Sequence, residues 1–294
     1  MEFVKFANEY FLPHYRLNHK PNSVDILKNE IKRISPYLAN KEVEEIKGLD
    51  LIQMFDDLQL RLAASTVIRT YKSTKGIFDF AICAELIEKN PMAKVPRPRE
   101  EVKKVDALTK AQVAKFLDAI KWKSPSLEFR TKMFLLISTG LRRGELLGLK
   151  WEDIDFSGGY LQLRREIVKT SENHCLETTL KSKSSYRKIM LTPNALELLH
   201  NLHITNKGEW VFRNRYPDTL THDVKKFMAV NGLGDFSPHD LRHSCATYLI
   251  QSGADVKTVQ ALLGHSNPAI TLKYYVAEND EVMAEAVSVF DRIA

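Results

Sequence analysis

The sequence predicts a mainly α protein: a helical N-terminal domain, a short linker, and an α+β domain with one small antiparallel sheet. Three observations carry this. Apolar residues recur at spacings of three and four along most of the 294-residue chain. Strand-like alternation is confined to two short pieces between Tyr160 and Leu191. Three prolines, Pro91, Pro96 and Pro98, fall beside a charge cluster and interrupt the helical pattern. At roughly 100–200 residues per domain the length fits two domains, here 1–94 and 107–294 with 95–106 as the linker.

Residues 1–90 read as helical. Ser23 is placed to cap a helix through Val24, Leu27, Ile31 and Ile34, and a longer helix runs from Ser65 through Tyr71 and Phe78 to about Leu86. The second domain opens with Thr109-Lys110-Ala111-Gln112, a capping box that starts a helix to about Ile120. Phe129–Thr139 is a strongly apolar helix stopped by Gly140, and another starts near Arg143 with Leu146, Leu147 and Leu149. Tyr160–Leu163 and Tyr186–Leu191 alternate as strands, with the polar, basic turn Lys181-Ser182-Lys183-Ser184-Ser185 before the second. Thr192-Pro193, Ser237-Pro238 and Asn267-Pro268 each set a capping residue before a proline, a helix start. A short helix from Asp255 ends at Gly264, and an amphipathic one begins near Asn279.

Composition narrows the function classes. The chain is 44% hydrophobic and 27% charged, values of an ordinary globular protein. No apolar run approaches the roughly 20 residues of a membrane span, and Met1–Tyr10 has no signal-peptide core. Three scattered cysteines, Cys83, Cys175 and Cys245, form no disulfide framework and fit a reducing cytoplasm. The net charge of +6 permits nucleic-acid binding without requiring it. Basic residues concentrate between Arg164 and Lys188, a run that taken alone reads as a solvated face.

Three groups of residues could carry chemistry. In Ser237-Pro238-His239-Asp240-Leu241-Arg242-His243, the residues Leu241, Cys245, Tyr248 and Leu249 form an apolar stripe, with His239, Arg242 and His243 opposite. That polar face can be merely solvated. His239 and His243 have metal-ligand spacing, but no third ligand is evident. His239 with Arg242 at a helix N-terminus also suits a phosphate. Arg142 follows Gly140, and Glu145 lies one helical turn on, where it either orients the arginine or forms a surface salt bridge. His265 follows Gly264, with Tyr274 and Tyr275 nine and ten residues later. A helix cap and a packed tyrosine pair are the plain readings of these.

The order arginine, lysine turn, His-x-x-Arg, His, Tyr resembles the catalytic signature of the tyrosine recombinases, the phage integrase family. TGLRRGELLGLKWEDID (Thr139–Asp155) is similar to its first arginine box, and the stretch from Ser237 to Tyr275 to its second. LKSKSSYRKIML (Leu180–Leu191) is similar to its basic β-turn, and residues 65–91 to its helical core-binding domain. The resemblance implies the tyrosine recombinase fold: a SAM-like core-binding domain and a catalytic domain. It implies that Arg142 and Arg242 clamp a scissile phosphate, Lys181 protonates the leaving 5′-oxygen, His239 accepts the tyrosine proton and His265 bonds the phosphate. Glu145 takes the supporting acidic position. Lys183 rivals Lys181, and Lys183, Arg187 and Lys188 are expected on DNA. The nucleophile is Tyr275 or Tyr274. Ten-residue spacing and the small pair Val276-Ala277 favour Tyr275.

The same resemblance implies no cofactor and no metal. It implies double-stranded DNA as partner, a homotetramer in synapsis through the C-terminal helix, with packing of that helix in cis as an equal alternative, room for accessory DNA-binding factors, and a cytoplasmic, nucleoid-associated location. Because it begins almost at Met1, no arm-site domain is expected. A type IB topoisomerase shares the Tyr, Arg and Lys chemistry, and an inactive DNA-binding protein could keep the fold. The core-binding region and compact boxes favour recombination.

Overall fold

The computed structural model describes residues 1–99, 107–169, 175–180 and 183–265. Two compact units divide it, the first within Met1–Lys103 and the second from Lys104 onward. The expected helices at Asn267-Pro268 and after Asn279, together with Lys181, Tyr274 and Tyr275, lie outside the described residues.

The first unit is helical: α1 (Phe3–Phe6), a π-turn (Ala7–Phe11), α2 (Leu12–Asn18), α3 (Pro21–Leu38), α4 (Gly48–Arg61) and α5 (Ala64–Cys83). Helix α3 starts two residues before Ser23, because Pro21 is already set for the first helical position. Its buried face is Val24, Leu27, Ile31, Ile34 and Leu38, at the expected spacing. Glu30 on the same helix is 1% exposed. Its carboxylate accepts bonds from Arg69 Nε at 2.8 Å and Thr70 Oγ1 at 2.6 Å on α5, and pairs with Arg33. A buried carboxylate so paired fixes α3 against α5. Asn90 caps a 3₁₀ turn, Pro91–Lys94, through the Met92 N–H at 2.8 Å. Val95, the first residue of the expected linker, remains in this core, and its carbonyl accepts the Tyr71 hydroxyl at 3.0 Å.

The second unit is helices around small sheets. Helix α6 (Lys110–Trp122) is capped by Thr109, whose N–H donates to Gln112 Oε1 at 2.9 Å. Helix α7 (Leu127–Thr139) is the apolar centre, packed on α9 (Pro193–Thr205) and α11 (Pro238–Gln251). It ends at Gly140 in the left-handed conformation, φ 63°. Helix α8 (Arg143–Leu147) is shorter than expected and stops before Leu149. Strands β1 (Ile154–Asp155), β2 (Tyr160–Gln162) and β5 (Lys188–Met190) make an antiparallel sheet in the order β1-β2-β5, with Leu161 opposite Ile189. A separate ladder, β3 (Arg165–Lys169) with β4 (Cys175–Thr179), lies between β2 and β5 in the chain. It carries no alternating apolar signal, because Ile167 is the only residue of β3 that is fully buried. Helices α10 (Pro217–Val230) and α12 (Val256–Leu263) complete the unit.

Candidate active site

Helix α12 ends where the candidate site residues of the second unit gather. Asp255 caps its start, accepting from the Thr258 N–H at 3.0 Å, and Gly264, φ 66°, ends it. The last carbonyls of any helix lack intrahelical donors. Here three consecutive ones are met by three arginines from three different elements. Arg187 Nε donates to Leu262 O at 2.5 Å, Arg242 Nη2 to Leu263 O at 2.7 Å, and Arg142 Nη2 reaches Gly264 O at 3.4 Å. Cations at a helix C-terminus are also favoured by its dipole.

Glu145 ties the same arginines from the other side. It is 1% exposed. Its carboxylate accepts from the Arg142 backbone N–H at 2.8 Å and from Arg142 Nη1 at 2.6 Å. Arg187 grips it with both ends of its fork, each at 3.1 Å, and Arg242 Nη1 stands 3.9 Å away. Burial alone would push this carboxyl up, but the Arg187, Arg142 and Arg242 guanidiniums outweigh that and hold it below the usual carboxylate range. Glu145 therefore orients Arg142, one of the two readings of that pair, and the surface-salt-bridge reading does not hold.

Arg242 is 2% exposed, so at its own position α11 is not solvated. Nη1 also donates to Gly140 O at 2.6 Å, joining the α7 stop to the α12 stop. Tyr248, expected in the apolar stripe, is instead 38% exposed. Cys245 is buried beneath Gly140, and burial pushes its thiol up to about 12. The Asp240 carboxylate accepts from the Ser237 N–H at 2.7 Å and closes the start of α11. His239 sits solvent-exposed on the first turn, and His243 packs edge-to-face against it with ring centroids 4.1 Å apart. Crowding by neighbouring atoms, and then the charge of Arg242, push His239 below the ordinary histidine range. His265 is 7% exposed and held to about 4, first by burial and then by Arg242 and Arg142. Both imidazoles are neutral at pH 7 and able to accept a hydrogen bond or proton.

The structure thus brings Arg142, Glu145, Arg242, His239 and His265 together. Arg187, expected on DNA, is 8% exposed, and its donors turn inward to Glu145, Leu262 O and Ser185 O. The strand period already carried that signal: Arg187 shares parity with buried Ile189 and Leu191, whereas Lys188 shares it with exposed Tyr186 and Met190. Lys188 is exposed, with Nζ 3.5 Å from the centre of the Tyr160 ring. Lys183 lies in a 3₁₀ turn, Lys183–Ser185. Among the described residues no cluster of His, Cys, Asp and Glu is arranged to hold a metal, and no helix is long and apolar enough to cross a membrane.

Arginines from separate turns thus gather with Glu145 at the end of α12, in a helical chain of two units. Residues 106–282 match the phage integrase family, and residues 2–59 match the phage integrase N-terminal SAM-like domain. A tyrosine recombinase of Thermosipho africanus is 28% identical over 92% of this chain and 94% of its own length. The ICEBs1 integrase of Bacillus subtilis is 27% identical over 90% of this chain and 76% of its own. In fold, the chain is similar to a Tn1549 transposon integrase solved with circular intermediate DNA, with a TM-score of 0.83, 22% identity and full coverage of both chains. The chain belongs to the phage integrase family.

Proposed function

We propose that this protein is a site-specific DNA recombinase that cuts and rejoins strands through a 3′-phosphotyrosine intermediate and a Holliday junction. The observation that carries the reading is the α12 terminus, where Arg142 and Arg242 converge with His239 and His265 in a chain of this family. Negative charge gathers on the phosphoryl oxygens during transfer, and fixed cations in a partly dry site stabilise it. Arg142, the outermost of the three arginines with its side chain 36% exposed, and Arg242 supply those cations. A phenol with a pKa near 10 needs a base at neutral pH, and neutral His239 is that base. His265 bonds the phosphate. Lys181, with Lys183 as rival, protonates the leaving 5′-oxygen, and Tyr275 rather than Tyr274 attacks.

In this reading residues 1–94 grip the core site, 95–106 span the duplex and 107–294 hold the chemistry. Lys183 and Lys188 contact the backbone. The enzyme works as a tetramer joined through the C-terminal helix, in the cytoplasm with the nucleoid, with accessory DNA-binding factors at its sites. Topoisomerase activity alone and an inactive scaffold are not favoured, because core-binding and catalytic parts occur together. Nicked suicide DNA carrying candidate sites from the flanking genome tests this. Wild type should form a covalent adduct, Tyr274→Phe should keep it and Tyr275→Phe should lose it. An adduct mapped to Tyr274 reverses the tyrosine assignment; no adduct on any site overturns the function.

A further inference from the structure

Arg187 is the one arginine of the cluster to which phosphate chemistry assigns nothing. Three of its five possible N–H directions are spoken for by Glu145 and Leu262, and Nη1 also donates to the Ser185 carbonyl at 3.1 Å. A guanidinium occupied in this way has no fork left to present to a phosphate. What it touches is informative instead. Through Glu145 it faces the carboxylate that holds both the backbone N–H and the Nη1 of Arg142. Through Leu262 O it fixes the last turn of α12, two residues before Gly264, whose carbonyl Arg142 also reaches. The packing there leaves no slack: a Cβ on Gly264 would stand 2.9 Å from Arg187 Nη1 and 2.8 Å from Ser184 O.

We propose that Arg187 is a positioning residue of the cleavage reaction, acting through Glu145 on Arg142 and making no contact with DNA. Without Arg187, Glu145 keeps fewer counter-charges, and its second oxygen loses the fork that sets its plane. The carboxylate would then rotate toward Arg142 and draw that guanidinium off the phosphate. A misplacement of about 1 Å at such a clamp costs on the order of 100-fold in rate. The inference rests on the recombinase reading above.

The test uses the full chain, with Arg187→Gln and Arg187→Lys, on nicked suicide DNA at saturating protein, with Kd and its salt slope measured alongside. Arg187→Gln should bind like wild type and cleave about 100-fold more slowly. Arg187→Lys, which keeps the charge but not the fork, should recover part of the rate. Glu145→Gln combined with Arg187→Gln should be no slower than Glu145→Gln alone, since both act on the same guanidinium. That double variant also removes the buried unpaired carboxylate, and it carries the test if Arg187→Gln does not fold. A weaker Kd, a salt slope reduced by about one and unchanged cleavage at saturation would make Arg187 a DNA ligand and overturn the proposal. So would additive losses in the double variant. A wild type that forms no adduct refutes the recombinase function itself; a cleaving wild type with an equally fast Arg187→Gln refutes only the positioning role.

Discussion

At the scale of single residues, the two arginines proposed to clamp the phosphate differ in kind. Arg142 stands at the rim with its side chain 36% exposed, and Glu145 holds it without depending on it, since Arg187 shares that carboxylate. Arg242 is buried and donates to two carbonyls, Gly140 O at 2.6 Å and Leu263 O at 2.7 Å. Stranding a buried acceptor costs about 1–3 kcal/mol. Arg142→Ala should therefore stop cleavage and leave the melting temperature within a few degrees of wild type. Arg242→Ala should stop cleavage and also lower the melting temperature by several degrees. Calorimetry of both variants decides this, and equal melting temperatures would show that Arg242 has no structural share.

At the scale of elements, the stops matter more than the helices. Gly140 and Gly264 both take positive φ, and each sits where another segment crowds its missing side chain. Gly253 also has positive φ, 86°, but faces open space. An L-residue in the left-handed region costs roughly 1–2 kcal/mol. Gly253→Ala should show that cost alone. Gly264→Ala should add the collision with Ser184 O, melt lower than Gly253→Ala and lose cleavage, whereas Gly253→Ala keeps it. Comparable behaviour of the two variants would mean the α12 turn has room to give. Helix starts with a polar cap or capping box, such as Thr109, Thr192 and Asp255, were legible in the sequence because the signal is local. Helix α10 was not, since Tyr216 precedes Pro217 with no polar cap. The β3–β4 ladder escaped for want of an apolar face. Of the site, Arg142, Glu145, His239, Arg242 and His265 were legible as residues, but not the carbonyls of Leu262, Leu263 and Gly264. A backbone acceptor has no letter in the sequence, and its role appears only when α12 is folded against α8 and β5.

At the scale of the whole molecule, the excess of 43 basic over 37 acidic residues is modest, so DNA binding must come from where the charges stand. Several basic residues of the second unit are already engaged: Arg165 with Glu152 and Asp153, Lys132 with Glu128, and Arg187 with Glu145. The number of phosphates neutralised should be correspondingly smaller than the count of lysines and arginines between Arg164 and Lys188. Log affinity should fall linearly with log salt at about −0.9 per phosphate. Lys188→Ala should make that slope shallower by about one, and Arg165→Ala should leave it unchanged. A salt titration in which Arg165→Ala flattens the slope as much as Lys188→Ala would contradict this division of labour.

The burial of Cys245 has a practical consequence. With its thiol raised to about 12, almost no thiolate forms there near neutral pH, and the thiolate is the reactive form. Alkylating reagents and mild oxidants should pass over it, although it lies on the same helix as Arg242. Cys83, exposed at the end of α5, and Cys175, half-buried on β4, remain open to maleimide chemistry. After Cys175→Ser, the chain would carry a single addressable thiol, on the first unit. A dye placed there would label the first unit alone and leave every side chain of the second unit unmodified.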